Sequence, residues 1–126
     1  MTRGLVPLLV LFALLMVACG SAERGDSTSG EDVVVRMFDN RYEYTSITVP
    51  VGGSVNFLGT GRNPHNAVAA DGSWSTEDVF GSLEQVEGDS AVVTFNEPGE
   101  YVFYCTFHGS GEGAGMAGTL TVTASS

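Results

Sequence analysis

Three side chains able to bind a soft metal sit in one short stretch: Cys105, His108 and Met116, within Tyr104-Cys105-Thr106-Phe107-His108-Gly109-Ser110-Gly111-Glu112-Gly113-Ala114-Gly115-Met116. A thiolate is a strong, soft donor, imidazole is borderline, and a thioether is weak but prefers copper to hard cations. The chain has one other histidine, His65, in Arg62-Asn63-Pro64-His65-Asn66-Ala67-Val68, where the proline forces an extended approach into a short strand. Two imidazoles, one thiolate and a weak axial methionine form the donor set of a blue-copper electron-transfer site. Four protein donors leave no vacant position for a substrate, which argues against an enzyme.

Each of these residues alone has a blander reading. Cys105 at a strand end would be a small buried hydrophobe, and Met116 would be core filler. His65 and His108 would be loop imidazoles, and the glycines from Gly109 to Gly115 an ordinary flexible loop. The order His…Cys-x-x-His…Met weakens those readings jointly, because it uses both histidines and the only thiol besides Cys19. Glu112 is an alternative axial donor, although a carboxylate is harder than copper(I) prefers. With only two histidines, any metal site is single and small; enzymes built on several copper centres need more imidazoles.

The elements that must position these donors read as strands. Val33 to Phe38 is a β-branched run; Ile47 and Val49 alternate with Thr48; Val55 and Phe57 alternate with Ser54 and Asn56. Ala91, Val93 and Phe95 share one face, Tyr101 to Tyr104 follow the turn Asn96-Glu97-Pro98-Gly99, and Leu120 and Val122 alternate with threonines. Period-2 patterning with turn punctuation predicts antiparallel sheets with one buried face, in an all-β Greek-key β-sandwich over residues 31–126. Only Trp74 to Val86 has helical possibilities, and its apolar residues are sparse.

The N-terminus reads as an export signal over residues 1–18. Arg3 precedes a fourteen-residue apolar run, Leu5 to Ala18, which Pro7 interrupts. That is too short to span a bilayer core of about 30 Å, and it has the secretory arrangement of a basic start, apolar middle and small residues. Met16-Val17-Ala18-Cys19 resembles a bacterial lipobox, whose cysteine is acylated and becomes the mature N-terminus; Met16 departs from the usual leucine. Lipidated Cys19 is then lost to any disulfide. Residues 19–30, small and polar, read as a flexible tether.

Fifteen acids against five arginines, with no lysine, give a formal net charge of −10. A surface this acidic repels phosphates, which excludes nucleic-acid binding, and it suits a cationic partner.

With these motifs in place, the chain resembles a plastocyanin-type cupredoxin over most of Val33 to Val122. The resemblance rests on Ile47-Thr48-Val49 before a glycine turn, Pro64-His65-Asn66, Tyr104-Cys105-x-x-His108, and Gly113-Ala114-Gly115-Met116-Ala117-Gly118. It implies one type 1 copper ion cycling between +1 and +2, with His65, Cys105 and His108 as strong equatorial ligands and Met116 as the weak axial one. It also implies that Asn66 hydrogen-bonds towards Thr106, holding the ligand loops together and tuning the thiolate. Tyr104 matches an aromatic position that lies beside an acidic docking patch in the plant proteins. Seven residues separate His108 from Met116, more than is usual in the family. The extra residues are expected to bulge outward near Ser110-Gly111-Glu112, which leaves the strength of the axial bond open.

Three functions fit these residues. One is a membrane-tethered single-electron shuttle outside the cytoplasm, in the periplasm or on the outer face of the cytoplasmic membrane. The others are a copper chaperone or storage module and a zinc-stabilised binding domain. The shuttle would work as a monomer with a basic cytochrome-type donor or an oxidase-type acceptor, electrons leaving by the His108 edge near Tyr104. Its docking acids would come from Asp71, Glu77, Asp78, Glu84, Glu87, Asp89, Glu97 and Glu100. Alternatively, those acids form a face that only keeps the protein soluble.

Overall fold

The computed structural model describes residues 27–124. Nine strands and one helical turn follow in order: β1 (Ser27–Ser29), β2 (Asp32–Phe38), β3 (Arg41–Tyr42), β4 (Ser46–Pro50), β5 (Ser54–Gly59), β6 (Val68–Ala69), α1 (Glu77–Phe80), β7 (Ser90–Thr94), β8 (Gly99–Gly109) and β9 (Gly115–Thr123). They form two sheets, ordered β1-β4-β9-β8-β6 and β3-β2-β5-β7. Only β2–β3 and β8–β9 connect neighbouring strands within one sheet, and every other strand connection crosses between sheets. The fold is therefore the expected all-β sandwich.

The expectation of antiparallel sheets needs correction, because both sheets are mixed. β2 runs parallel to β5, and β4 runs parallel to both β1 and β9. Period-2 patterning reports which face is buried and carries no information on the direction of the neighbouring strand. Parallel pairing is possible here because the chain changes sheets between the paired strands, as it does from β2 to β5.

One hydrophobic core lies between the sheets. Val33, Val35 and Met37 point inward from β2 while Val34 and Arg36 face solvent. They meet Val55 and Phe57 of β5, Ile47 and Val49 of β4, Phe103 of β8, and Leu120 and Val122 of β9. Phe57 stacks on Trp74 with ring centroids 5.8 Å apart and meets Phe103 edge-on at 5.9 Å. These rings cross the interior and join the two sheets.

Two local features differ from the sequence reading. β1 lies within the stretch read as a tether, pairing Ser27 with Ser46 and Ser29 with Thr48. The Trp74–Val86 segment yields a single helical turn, stopped by Gly81 at φ 85° and leading into a loop that packs on the metal-binding end.

Candidate metal centre

Cys105 points inward because it lies two residues beyond buried Phe103 on the same face of β8. Beyond Tyr104 the β8–β9 ladder slips. Tyr104 pairs with Ala117, and the next pair is Gly109 with Gly115. Four residues, Cys105 to His108, thus stand opposite one, Met116. This wide bulge turns a cysteine and a histidine toward the same point, with a buried methionine across from them. Gly115 makes the closure possible at φ +69°, where a Cβ would also collide with the His108 carbonyl.

His65 arrives from the β5–β6 connection and is fully buried. Its backbone is clamped by two hydrogen bonds with Gln85, from His65 N–H to the Gln85 carbonyl (2.9 Å) and from Gln85 N–H to the His65 carbonyl (3.0 Å). Its Nε2 lies 3.1 Å from Oδ1 of Asp39. A carboxylate can only accept, so Nε2 carries the proton and Nδ1 keeps its lone pair for a metal. The carboxyl of Asp39 is held below the usual carboxylate range, chiefly by the Asn63 backbone N–H and next by the His65 imidazole.

The Cys105 Sγ lies 3.9 Å from His65 Nδ1 and 3.7 Å from His108 Nδ1. All three donor atoms fall within 4.8 Å of one another. A single ion bound to nitrogen and sulfur at about 2.0–2.3 Å separates such donors by about 3.6–3.8 Å at tetrahedral to trigonal angles. The Sγ–Nδ1 distances are close to that spacing. Two imidazoles, a thiol buried from solvent and a buried thioether suit copper in preference to a hard cation. Glu112 is exposed at the hairpin tip and outside the donor cluster.

The residues around the donors tie the two ligand-bearing segments together. Asn66 Nδ2 donates to Thr106 Oγ1 (2.8 Å) and to the Leu83 carbonyl (3.0 Å), while Thr106 N–H donates to Asn66 Oδ1 (2.9 Å). The buried Tyr42 hydroxyl donates to the Asn66 carbonyl at 2.6 Å. Burial, and then the nearby Cys105 charge, pushes that phenol's pKa well above its usual value. His108 and Tyr104 are half-buried. Tyr104 pairs with Val68, which bridges to Ser75 just before the acidic helical turn. Glu77 and Asp78 follow Ser75 by two and three residues and lie exposed on α1.

The hairpin after His108 closes on itself through Ser110 N–H to Ala114 O and Gly113 N–H to Ser110 O, each 3.0 Å. Gly111 and Glu112 are exposed and Ser110 is half-buried, but the expected outward bulge leans back over β8, with Gly111 against Ala70 and Tyr104. Cys19 lies outside the described residues. Sequence reasoning missed Asp39, Tyr42 and Gln85. Asp39 and Asn40 carry a turn signal between two strands, yet nothing in their spacing links them to a histidine 26 positions on.

Residues 32–123 match the sequence profile of copper binding proteins of the plastocyanin/azurin family. The chain belongs to that family. Among curated relatives, the plastocyanin of Prochlorothrix hollandica is 32% identical over 94% of this chain and 88% of its own length. The chloroplastic plastocyanin of Physcomitrium patens is 33% identical over 97% of this chain and 70% of its own. The fold is shared with auracyanin from Roseiflexus castenholzii (24% identity, TM-score 0.54, 76% of this chain and 99% of that one). It is shared also with a purple cupredoxin from Nitrosopumilus maritimus (23%, 0.56, 73% and 100%). A copper-containing nitrite reductase from Thermus scotoductus matches over 72% of this chain at 25% identity and TM-score 0.58, but over only 22% of its own length. The likeness to an enzyme is therefore confined to a minor part of that enzyme. In this cupredoxin His65, Cys105, His108 and Met116 form the type 1 copper site. Bound copper supplies a one-electron redox couple.

Proposed function

We propose that this cupredoxin is a single-electron carrier outside the cytoplasm, held at the membrane by an acylated Cys19. The observation that carries the electron-transfer reading is the gathering of His65, Cys105 and His108 within 4.8 Å on a hydrogen-bonded sandwich. Copper(I) and copper(II) favour different coordination, and rearrangement between them slows electron transfer. Donors fixed by a bulged hairpin, a double backbone clamp on His65 and the Asn66–Thr106 pair change little between the two states.

The half-exposed His108 is the electron's exit. Its neighbour Phe107, 46% exposed, gives that end an apolar contact surface. A basic redox protein, either a cytochrome-type donor or an oxidase-type acceptor, is the partner that suits a chain with a formal net charge of −10. Export and lipidation are supported by the short apolar run ending in Met16-Val17-Ala18-Cys19. Among the described residues no helix is long and apolar enough to cross a membrane.

A copper chaperone or storage role would favour several accessible methionines. Met37, however, is fully buried in the core and Met116 is buried at the site. The deciding experiment is the optical spectrum of the copper-loaded protein. The electron-carrier reading expects an intense visible thiolate-to-copper band that bleaches on reduction, returns on reoxidation, and disappears in Cys105→Ser. Copper uptake without that reversible band would favour storage or delivery.

A further inference from the structure

The contact between Asp39 and His65 does more than complete a hydrogen-bond count. Asp39 sits at the β2–β3 turn, where Asn40 takes the left-handed conformation at φ 65°. That turn projects the carboxylate across to the β5–β6 connection. There Oδ1 accepts from both the Asn63 backbone N–H (3.1 Å) and His65 Nε2 (3.1 Å). Gly61 leaves the room for this approach: a Cβ at that position would collide with Asp39 Oδ1 and lie 2.9 Å from His65 Nε2. Among the described residues no arginine comes within ion-pair distance of Asp39. No ion pair therefore neutralises its negative charge beside the imidazole.

We propose that Asp39 is a positioning residue that fixes the ring and tautomer of His65 and, by its charge, biases the site toward copper(II). The proposal rests on the type 1 copper reading above. A carboxylate accepting from Nε2–H raises the donor strength of Nδ1. A stronger donor and a nearby negative charge both favour the more highly charged metal state, so they lower the reduction potential. Since the Asp39 side chain is 39% exposed, solvent screens part of this effect.

Asp39→Asn separates the two roles, because the amide oxygen can still accept from Nε2–H while the charge is gone. Asp39→Ala removes both. The expected result for Asp39→Asn is an intact visible band with a higher midpoint potential. The predicted weakening of copper(II) relative to copper(I) binding is up to about tenfold, or about 59 mV for a one-electron couple. In the copper-free protein, proton NMR should show a slowly exchanging His65 Nε2–H in wild type and in Asp39→Asn. In Asp39→Ala that proton should exchange with solvent much faster. An unchanged potential in a coloured Asp39→Asn protein would overturn the charge effect. Equal Nε2–H exchange in wild type and Asp39→Ala would overturn the positioning role. A wild-type protein that binds copper without colour would instead refute the electron-carrier reading, and the NMR comparison would still decide the positioning role.

Discussion

Asn66 and Thr106, forty residues apart in sequence, are joined by a reciprocal pair of hydrogen bonds: amide to hydroxyl at 2.8 Å and backbone N–H to carbonyl at 2.9 Å. Each residue directly follows a copper ligand, so the pair links the two segments that carry His65 and Cys105. Asn66→Ala removes both bonds, together with the one to the Leu83 carbonyl, and strands the Thr106 N–H. It should destabilise the copper-free protein by about 1–3 kcal/mol, whereas Thr106→Ala, which spares the backbone bond, should cost about 0.5–1.5 kcal/mol. Urea unfolding of both variants tests the order. A larger loss in Thr106→Ala would mean that the bonds from Asn66 to the Thr106 N–H and the Leu83 carbonyl contribute little.

Met116 is the single β9 residue opposite the bulge and is almost fully buried. Met116→Leu conserves volume and should cost under about 1.5 kcal/mol. The variant should keep copper and colour while its potential rises, because a weak donor to copper(II) is lost. Protein-film voltammetry measures the change. A potential equal to that of wild type would mean that the thioether does not donate.

The strand β1 provides a test of where the domain begins. Thr28 pairs with Ile47, and the Gly30 N–H donates to the Thr48 carbonyl at 3.1 Å. Protein lacking residues 1–26 should unfold at the same temperature as a chain with the tether intact. Protein lacking residues 1–30 should fold and bind copper but melt several degrees lower, having exposed the edge of β4. Identical melting of the two truncations, followed by circular dichroism, would remove any structural role for β1.

Docking by charge makes a kinetic prediction. Glu77 and Asp78 are exposed at the start of α1, shortly after Ser75, which bridges to Val68, the partner of Tyr104. The association rate with a basic cytochrome should fall as ionic strength rises. Glu77→Gln combined with Asp78→Asn should slow association and flatten that salt dependence without altering the visible spectrum. Stopped-flow rates independent of salt would reduce these acids to a role in solubility.

Membrane attachment is tested at Cys19. Cys19→Ala should shift the protein from the membrane fraction to the soluble fraction or block its maturation, because the preceding apolar run is too short to span a bilayer. Equal membrane retention of a processed Cys19→Ala protein would count against lipidation.

The sequence by itself determined the donors and the faces. Cys105, His108 and Met116 lie close along the chain, and their chemistry is a property of residue type. Alternation along Val33–Phe38 or Ala91–Phe95 marks the buried side because neighbouring side chains in a strand point to opposite faces. Only the tertiary structure decided which strands pair and in which direction, as in the parallel β2–β5 and β4–β9 ladders. Such pairing is chosen by packing across the whole sandwich, which no local period encodes. It also brought Asp39 from the β2–β3 turn and Gln85 from the loop after α1 onto His65. Both contacts span a change of sheet or a long loop, and Asp39 and Gln85 are common polar residues without a spacing signature. The copper ligands were legible because soft-donor chemistry is rare and specific, whereas their supports became visible only once the chain had folded around them.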